Sequence, residues 1–189
     1  MSKDVLNWVD TETFGLATDE PILEIGLKIT DLDLNVLAEK SWLIWDERHK
    51  SRLRRMIRNA DEGNESEQYV LNMHSQNNLF NVAEQKGLPT HLVDEDIMIW
   101  MQNSEVLGLP MAGSSIHTDR RWIEHSLPKT ASCFHYRNVD TSTLKELCRR
   151  YNKEVYAALP EKKERHRVMP DLEDSIAEFR HYRDEFLLW

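Results

Sequence analysis

Three runs with strand character fill residues 4–45, and the links between them leave no room for a crossover helix. "DVLNWV" (4–9) is a short apolar strand, and "PILEIGLKIT" (21–30) sets Leu23, Ile25, Leu27 and Ile29 against Ile22, Glu24, Gly26 and Lys28. "VLAEKSWLIW" (36–45) follows after "DLDLN" (31–35), which has the chemistry of a turn. Parallel neighbours need long crossovers, so this segment predicts an antiparallel meander.

From about residue 50 the period changes. "SRLRRMIRNADEGNES" within 50–66 is polar with little to bury, which predicts a short helix and an exposed loop. "NNLFNVAEQKG" (77–87) reads as a helix ending at Gly87, and "THLVDEDIMIWMQN" (90–103) offers Leu92, Ile97, Trp100 and Met101 on one face. "EVLGLPMAG" (105–113) suits a buried strand, and "TDRRWIEHSL" (118–127) a helix. In "TLKELCRRY" (143–151), Thr143 and Glu146 form a capping box above a stripe of Leu144, Leu147, Cys148 and Tyr151. A last helix starts at Pro170, with Leu172, Ile176, Phe179, Arg183 and Phe186 recurring along it. Strands first, then helices alternating with short strands, predict an α/β fold, a mixed β-sheet flanked by helices. With no repeat and no linker, residues 1–189 read as a single domain.

The net charge of −9 argues against a protein that grips a long nucleic acid tract, because such binding draws much of its affinity from a broad basic surface. Basic residues cluster locally instead, at 48–58, 119–121 and 149–150, and the first of these runs reads as a solvated face. The start of the chain lacks the apolar run of a signal peptide, and no stretch is long enough to span a bilayer. Cys133 and Cys148 make no CxxC pair and read as reduced thiols, so the expected location is cytoplasmic.

"WVDTETFGL" (8–16) places Asp10 and Glu12 at the end of a strand, where i and i+2 point to one side. Two carboxylates held that close repel one another unless a cation lies between them. "SSIHTDRRWI" (114–123) adds Asp119 near a helix start, and "HRVMPDLEDSI" (166–176) adds His166 in a loop and Asp171 in a first helical turn, with Asp174 as its competitor one turn on. Four carboxylates without cysteine suit Mg2+ or Mn2+ rather than structural zinc. Two such ions about 3.5–4 Å apart can clamp the oxygens of a displacement at phosphorus, and a histidine beside them can accept a proton from water.

The order D-x-E, D, H-x(4)-D resembles the DEDD exonuclease superfamily in its histidine-containing branch. "FHYRNVDTSTLKELCRR" and "DSIAEFRHYR" make the resemblance more specific, and it runs from residue 5 to the C-terminus. It is closest to the members that degrade very short RNAs. The resemblance implies a ribonuclease-H-like fold, a homodimer, and metal-dependent 3′–5′ release of 5′-mononucleotides from short single-stranded RNA, chiefly dinucleotides. It assigns one metal to Asp10, Glu12 and Asp171, with Asp10 bridging to a second (two divalent ions per site), Asp119 completing the site through water, and His166 as general base. Leu16 matches a wedge between two bases, Tyr69 and His74 fall in the base pocket, and Ser115, Arg137 and Ser142 fall where a 5′ phosphate is capped. Tyr136 would reach in from the other subunit.

The chain departs from that pattern at Val168 and Pro170, where Ala and an acid are usual, and at Ser114, His117 and Thr118, which replace Asn, Gly and Gln. Tyr69 stands for a tryptophan, and 50–66 is longer. These changes spare every candidate ligand and bear on length selectivity. His117 and His135 read as packing or surface residues, and Asp140 equally as a helix cap or a ligand. Two alternatives stay open from the sequence: an exonuclease of the same superfamily trimming longer DNA or RNA 3′ ends, and a non-catalytic nucleic-acid-binding module.

Overall fold

The computed structural model describes residues 4–161 and 165–187. A five-stranded mixed sheet has the order β3-β2-β1-β4-β5, formed by β1 (Val5–Thr13), β2 (Ile22–Asp31), β3 (Val36–Leu43), β4 (Met111–Gly113) and β5 (Asn138–Asp140). The first three strands are the expected antiparallel meander, whereas β4 runs parallel to β1 and β5 parallel to β4. The run 105–113 yields only three residues of strand, and β5 carries too few residues to leave a period in the sequence.

Helices cover both faces. They are α1 (Glu47–Asp61), α2 (Glu65–Gln76), α3 (Leu79–Lys86), α4 (Thr90–Asn103), α5 (His117–Ser126), α6 (Pro128–Ser132), α7 (Thr141–Tyr151), α8 (Lys153–Ala157) and α9 (Val168–Glu185). One face of β1, through Val9, packs with Ile25, Leu27, Ile97, Met101 and Ile123, which places α4 and α5 on that side. The opposite face carries Trp8, which packs with Leu172 and Ile176 of α9 and meets Phe179 edge-on at 5.3 Å. A third cluster joins Phe14, Leu23, Trp45, Met56, Leu79 and Phe80 beneath α1–α3. Among the described residues no helix is long and apolar enough to cross a membrane.

β2 alternates as its sequence reads, yet every residue from Ile22 to Thr30 is buried, Glu24 and Lys28 included. α9 lies over the polar side. Gly26 is what permits its approach: a Cβ there would lie 2.8 Å from Val168 Cγ2, far inside van der Waals contact. Gly26 is also the cross-strand partner of Asp10, so this close approach brings the start of α9 beside the β1 carboxylates.

Segment 50–66 is not a short helix and a loop. It contains most of the fifteen-residue α1, capped by Asp46 with His49 in a reciprocal box, and the first residues of α2. The buried stripe of α1 is His49, Arg52, Met56 and Ala60, correctly spaced but too polar to register as an apolar face. Arg52 therefore does not belong to a solvated face. Two other boundaries move: α9 begins at Val168, two residues before Pro170, and α7 begins at Thr141. Its cap is Asp140, which accepts from the Ser142 backbone N–H at 2.9 Å; Thr143 lies inside the helix. On α7 only Thr141 and Cys148 are buried, and Leu147 and Tyr151 stay exposed. On α4, Val93 and Asp94 join Ile97 and Met101 inside, while Leu92 is exposed.

Candidate active site

Alternation along β1 puts Asp10 and Glu12 on the α9 side of the sheet, and the first turn of α9 supplies Asp171. Ligand atoms of these three carboxylates all lie within 4.8 Å of one another. Asp174, one turn further along α9, is outside this cluster. Asp119 arrives from the other layer. It sits in the first turn of α5, is buried, and accepts a 2.7 Å hydrogen bond from the Thr11 hydroxyl, which points to the α5 side of β1. The end of β1 thus collects carboxylates from both faces of the sheet.

The electrostatics describe a site built for cations. Burial, then the charges of Asp119, Glu12, Asp171 and Glu24, raise Asp10 well above the ordinary aspartate range. Burial, then Asp171, Glu24 and Asp119, push Glu12 up to about 8, against the opposing pull of Arg167. Burial raises Asp119 to about 7 despite the hydrogen bond from Thr11. Carboxylates crowded in this way are unstable as free anions, and their all-oxygen donor set fits a hard divalent metal.

His166 lies in the loop before α9 with φ +49°, a left-handed conformation that histidine adopts more readily than most residues. Two contacts hold it there. Asn77 Nδ2 donates to the His166 carbonyl at 2.6 Å, and the neighbouring Arg167 donates through Nε and Nη2 to Glu24 at 2.7 and 2.9 Å. Glu24 is buried directly across from Glu12 in the β1–β2 ladder. His166 shares a cleft of about 570 Å3 with Tyr69, Asn72, Met73, Gln76, Asn77 and Arg165.

The other candidate residues fall into two groups. Leu16 is 83% exposed on the β1–β2 loop, and Tyr69 is 64% exposed on α2. His74 is the one expected in the base pocket whose side chain is shut off from solvent. It is fully buried, donates from Nε2 to the Thr13 carbonyl at 2.9 Å and meets Phe80 edge-on, so it supports the turn after β1 from below. Beyond β4, Ser115 has φ +53°, and its N–H points to Asp140 Oδ1 (3.0 Å) and Ser142 Oγ (2.9 Å). Its hydroxyl lies 3.0 Å from that of Ser142. His117 is exposed, with Nδ1 3.8 Å from Asp140. Tyr136 is 75% exposed and stacks on His135, and the Arg137 guanidinium lies over the Tyr136 ring. Asp140 caps α7 and braces Ser115, and it is not part of the metal cluster.

Sequence reasoning missed the supports: Glu24, Asn77 and Arg167. Glu24 left one faint signal, a carboxylate in mid-strand two residues from a glycine. Only pairing with β1 gives it meaning.

Carboxylates gathered on a mixed sheet, with a histidine on the adjoining loop, suit an enzyme of the exonuclease class, and residues 7–179 match the RNase_T family model, described as Exonuclease. A solved structure of exonuclease I has the same fold, with a TM-score of 0.65 at 12% identity over 97% of this chain. E. coli exonuclease I in complex with a dT13 oligonucleotide aligns equally well, and the chain spans 42% and 41% of those two longer chains. Curated relatives align over nearly the full length. Oligoribonucleases of Chromobacterium violaceum (33% identical, 99% of both chains) and Aromatoleum aromaticum (38%, 96% of this chain and 94% of that one) are among them. The mitochondrial oligoribonuclease of Bos taurus is 32% identical over 94% of this chain and 71% of its own. The chain belongs to the oligoribonuclease family.

Proposed function

We propose that this protein is a 3′–5′ exoribonuclease that hydrolyses very short single-stranded RNAs, chiefly dinucleotides, to 5′-mononucleotides. The observation that carries the reading is the meeting of Asp10, Glu12 and Asp171 within 4.8 Å beside the His166 loop. Asp10, Glu12 and Asp171 would hold divalent cations, with Asp119 completing the set, and Mg2+ or Mn2+ suits these oxygens best. Bound cations supply charge neutralisation at the scissile phosphate and a lowered pKa for the attacking water.

The chain's own residues do the rest. An imidazole nitrogen of His166 takes a proton as water attacks the phosphorus of the 3′-terminal phosphodiester. The P–O3′ bond breaks, the departing 3′ oxygen is protonated from solvent, and a 5′-mononucleotide is released. Leu16 presents an apolar wedge between two bases, and Tyr69 offers a ring to stack on. Ser115 and Ser142 receive a 5′ phosphate, with Arg137 swinging from the Tyr136 ring to add a bidentate contact. In a homodimer Tyr136 reaches the partner's site, and the exposed Leu147 and Tyr151 on α7 support a covered face there. The free thiols of Cys133 and Cys148 agree with a cytoplasmic enzyme.

A time course on 5′-labelled RNAs of two to about ten nucleotides, with Mg2+, Mn2+ or chelator, tests the reading. The expected result is metal-dependent shortening from the 3′ end and fastest turnover of the dinucleotide. Cleavage that survives excess chelator refutes the metal chemistry. Faster cleavage of the longest RNA favours an exonuclease of longer 3′ ends.

A further inference from the structure

Arg52 is the most elaborately paired side chain in the described structure, and the chemistry above makes no use of it. It is 6% exposed in the middle of α1, over the ring of Phe14 at 5.6 Å. Nε and Nη2 donate to the two carboxylate oxygens of Glu20 at 2.7 and 2.8 Å. Nη1 and Nη2 donate to the two oxygens of Glu67 at 2.9 and 3.0 Å. One guanidinium therefore grips two carboxylates, each through two bonds, with little water around any of the three groups.

What it joins gives the arrangement its meaning. Glu20 ends the β1–β2 loop that carries Leu16. Glu67 stands in the first turn of α2, its N–H capped by Asn64, two residues before Tyr69. The loop is pinned elsewhere too: the Trp122 indole donates to the Ala17 carbonyl at 2.7 Å, the Arg48 guanidinium to the Asp19 carbonyl, and the Thr13 hydroxyl to the Gly15 carbonyl at 2.7 Å. Among these contacts, Arg52 ties the loop to α2. The Leu16 side chain is exposed, but the backbone beneath it is held from several sides.

We propose that Arg52 is a positioning residue that sets the separation between the Leu16 loop and the Tyr69 helix, and so governs how well the enzyme grips a dinucleotide. The inference rests on the reading of Leu16 as a wedge between two bases. A wedge on a loose loop would lose its freedom on each binding event, whereas a clamped one is preorganised. The selectivity for short RNA would then depend on an ion pair that touches no substrate.

The test compares Arg52→Lys, Glu67→Gln and Leu16→Ala on three substrates. These are a 5′-phosphorylated dinucleotide, a heptamer and a p-nitrophenyl ester of a nucleoside 5′-phosphate, whose single base needs no wedge. Lysine keeps the charge and loses the double fork, so KM for the dinucleotide should rise about tenfold while kcat on the aryl ester stays within about twofold. Glu67→Gln, which leaves the Glu20 pair intact, should shift KM the same way by about threefold. In a Leu16→Ala background the Arg52→Lys effect should largely vanish. If Leu16→Ala leaves the dinucleotide-to-heptamer ratio unchanged, the wedge reading itself fails. If Leu16→Ala changes that ratio and neither clamp variant does, the positioning role is overturned. It is equally overturned if all three substrates lose activity together with the melting temperature, and Glu67→Gln decides the matter should Arg52→Lys fail to fold.

Discussion

Removing the cation from the Arg167–Glu24 pair should separate the cost of positioning the histidine loop from the cost of the chemistry. In Arg167→Met the stem is kept and two hydrogen bonds of 2.7 and 2.9 Å are lost. Stripping one partner from a buried ion pair typically costs about 3–5 kcal/mol, because the remaining charge is left without water. Here the Glu24 side chain is 3% exposed and that of Arg167 30%, so the arginine end already has some solvent. The expected loss is about 2–4 kcal/mol. Glu24→Gln keeps an acceptor and removes the charge, so about 1–2 kcal/mol is expected. The double variant should lose less than the sum by at least about 1 kcal/mol, since neither group is then a stranded ion. Arg167 adjoins His166 in its left-handed conformation and stands at the N-cap position of α9, whose first turn carries Asp171. A displacement there of order 1 Å should lower kcat by about 10- to 100-fold with KM little changed. Urea unfolding of the four proteins gives the coupling energy, and steady-state hydrolysis of a dinucleotide gives the rates. A coupling energy near zero, or full kcat in Arg167→Met, would refute the view that this pair holds the loop.

His166→Ala should retain substrate binding and lose about 10²- to 10⁴-fold in kcat, and full turnover across pH 6–9 would remove it as the base. In metal-free protein Glu12 and Asp119 titrate near 8 and 7, above their unfolded values, so the native state binds more protons between about pH 4.5 and 8. Stability should therefore fall as pH rises through that window and be restored by divalent metal; a metal-free melting temperature that rises from pH 5 to 8 would contradict this. Arg137→Ala should cost about 2–4 kcal/mol in kcat/KM for a 5′-phosphorylated dinucleotide and less for a heptamer, whereas equal losses on both would refute the phosphate cap. Mixed dimers of Asp10→Ala and Tyr136→Ala chains should regain part of the activity that each homodimer lacks, because one site then has both residues intact; verified mixed dimers without recovery would place Tyr136 in its own chain's site.

The sequence by itself determined the elements whose own periodicity is strong. The meander of β1–β3 was legible because alternation and short links admit one arrangement, and so was the final helix, whose apolar residues recur every three or four positions. Asp10 and Glu12 were legible as a pair because i and i+2 share a face wherever a strand forms. Tertiary structure decided what depends on neighbours distant in the chain. Asp171 joins the cluster because Gly26 lets the first turn of α9 close on β2 through Val168 and Leu172, while Asp174 lies further along the helix. β5 exists because β4 gives it a partner, and α1 is long because a stripe containing histidine and arginine is buried against Phe14 and two glutamates. His74 read as a pocket residue and is a buried prop, since one histidine serves either role and only packing distinguishes them. Arg52 and Arg167 look like any surface arginine in the sequence, because a buried ion pair is a property of two positions that local pattern does not connect.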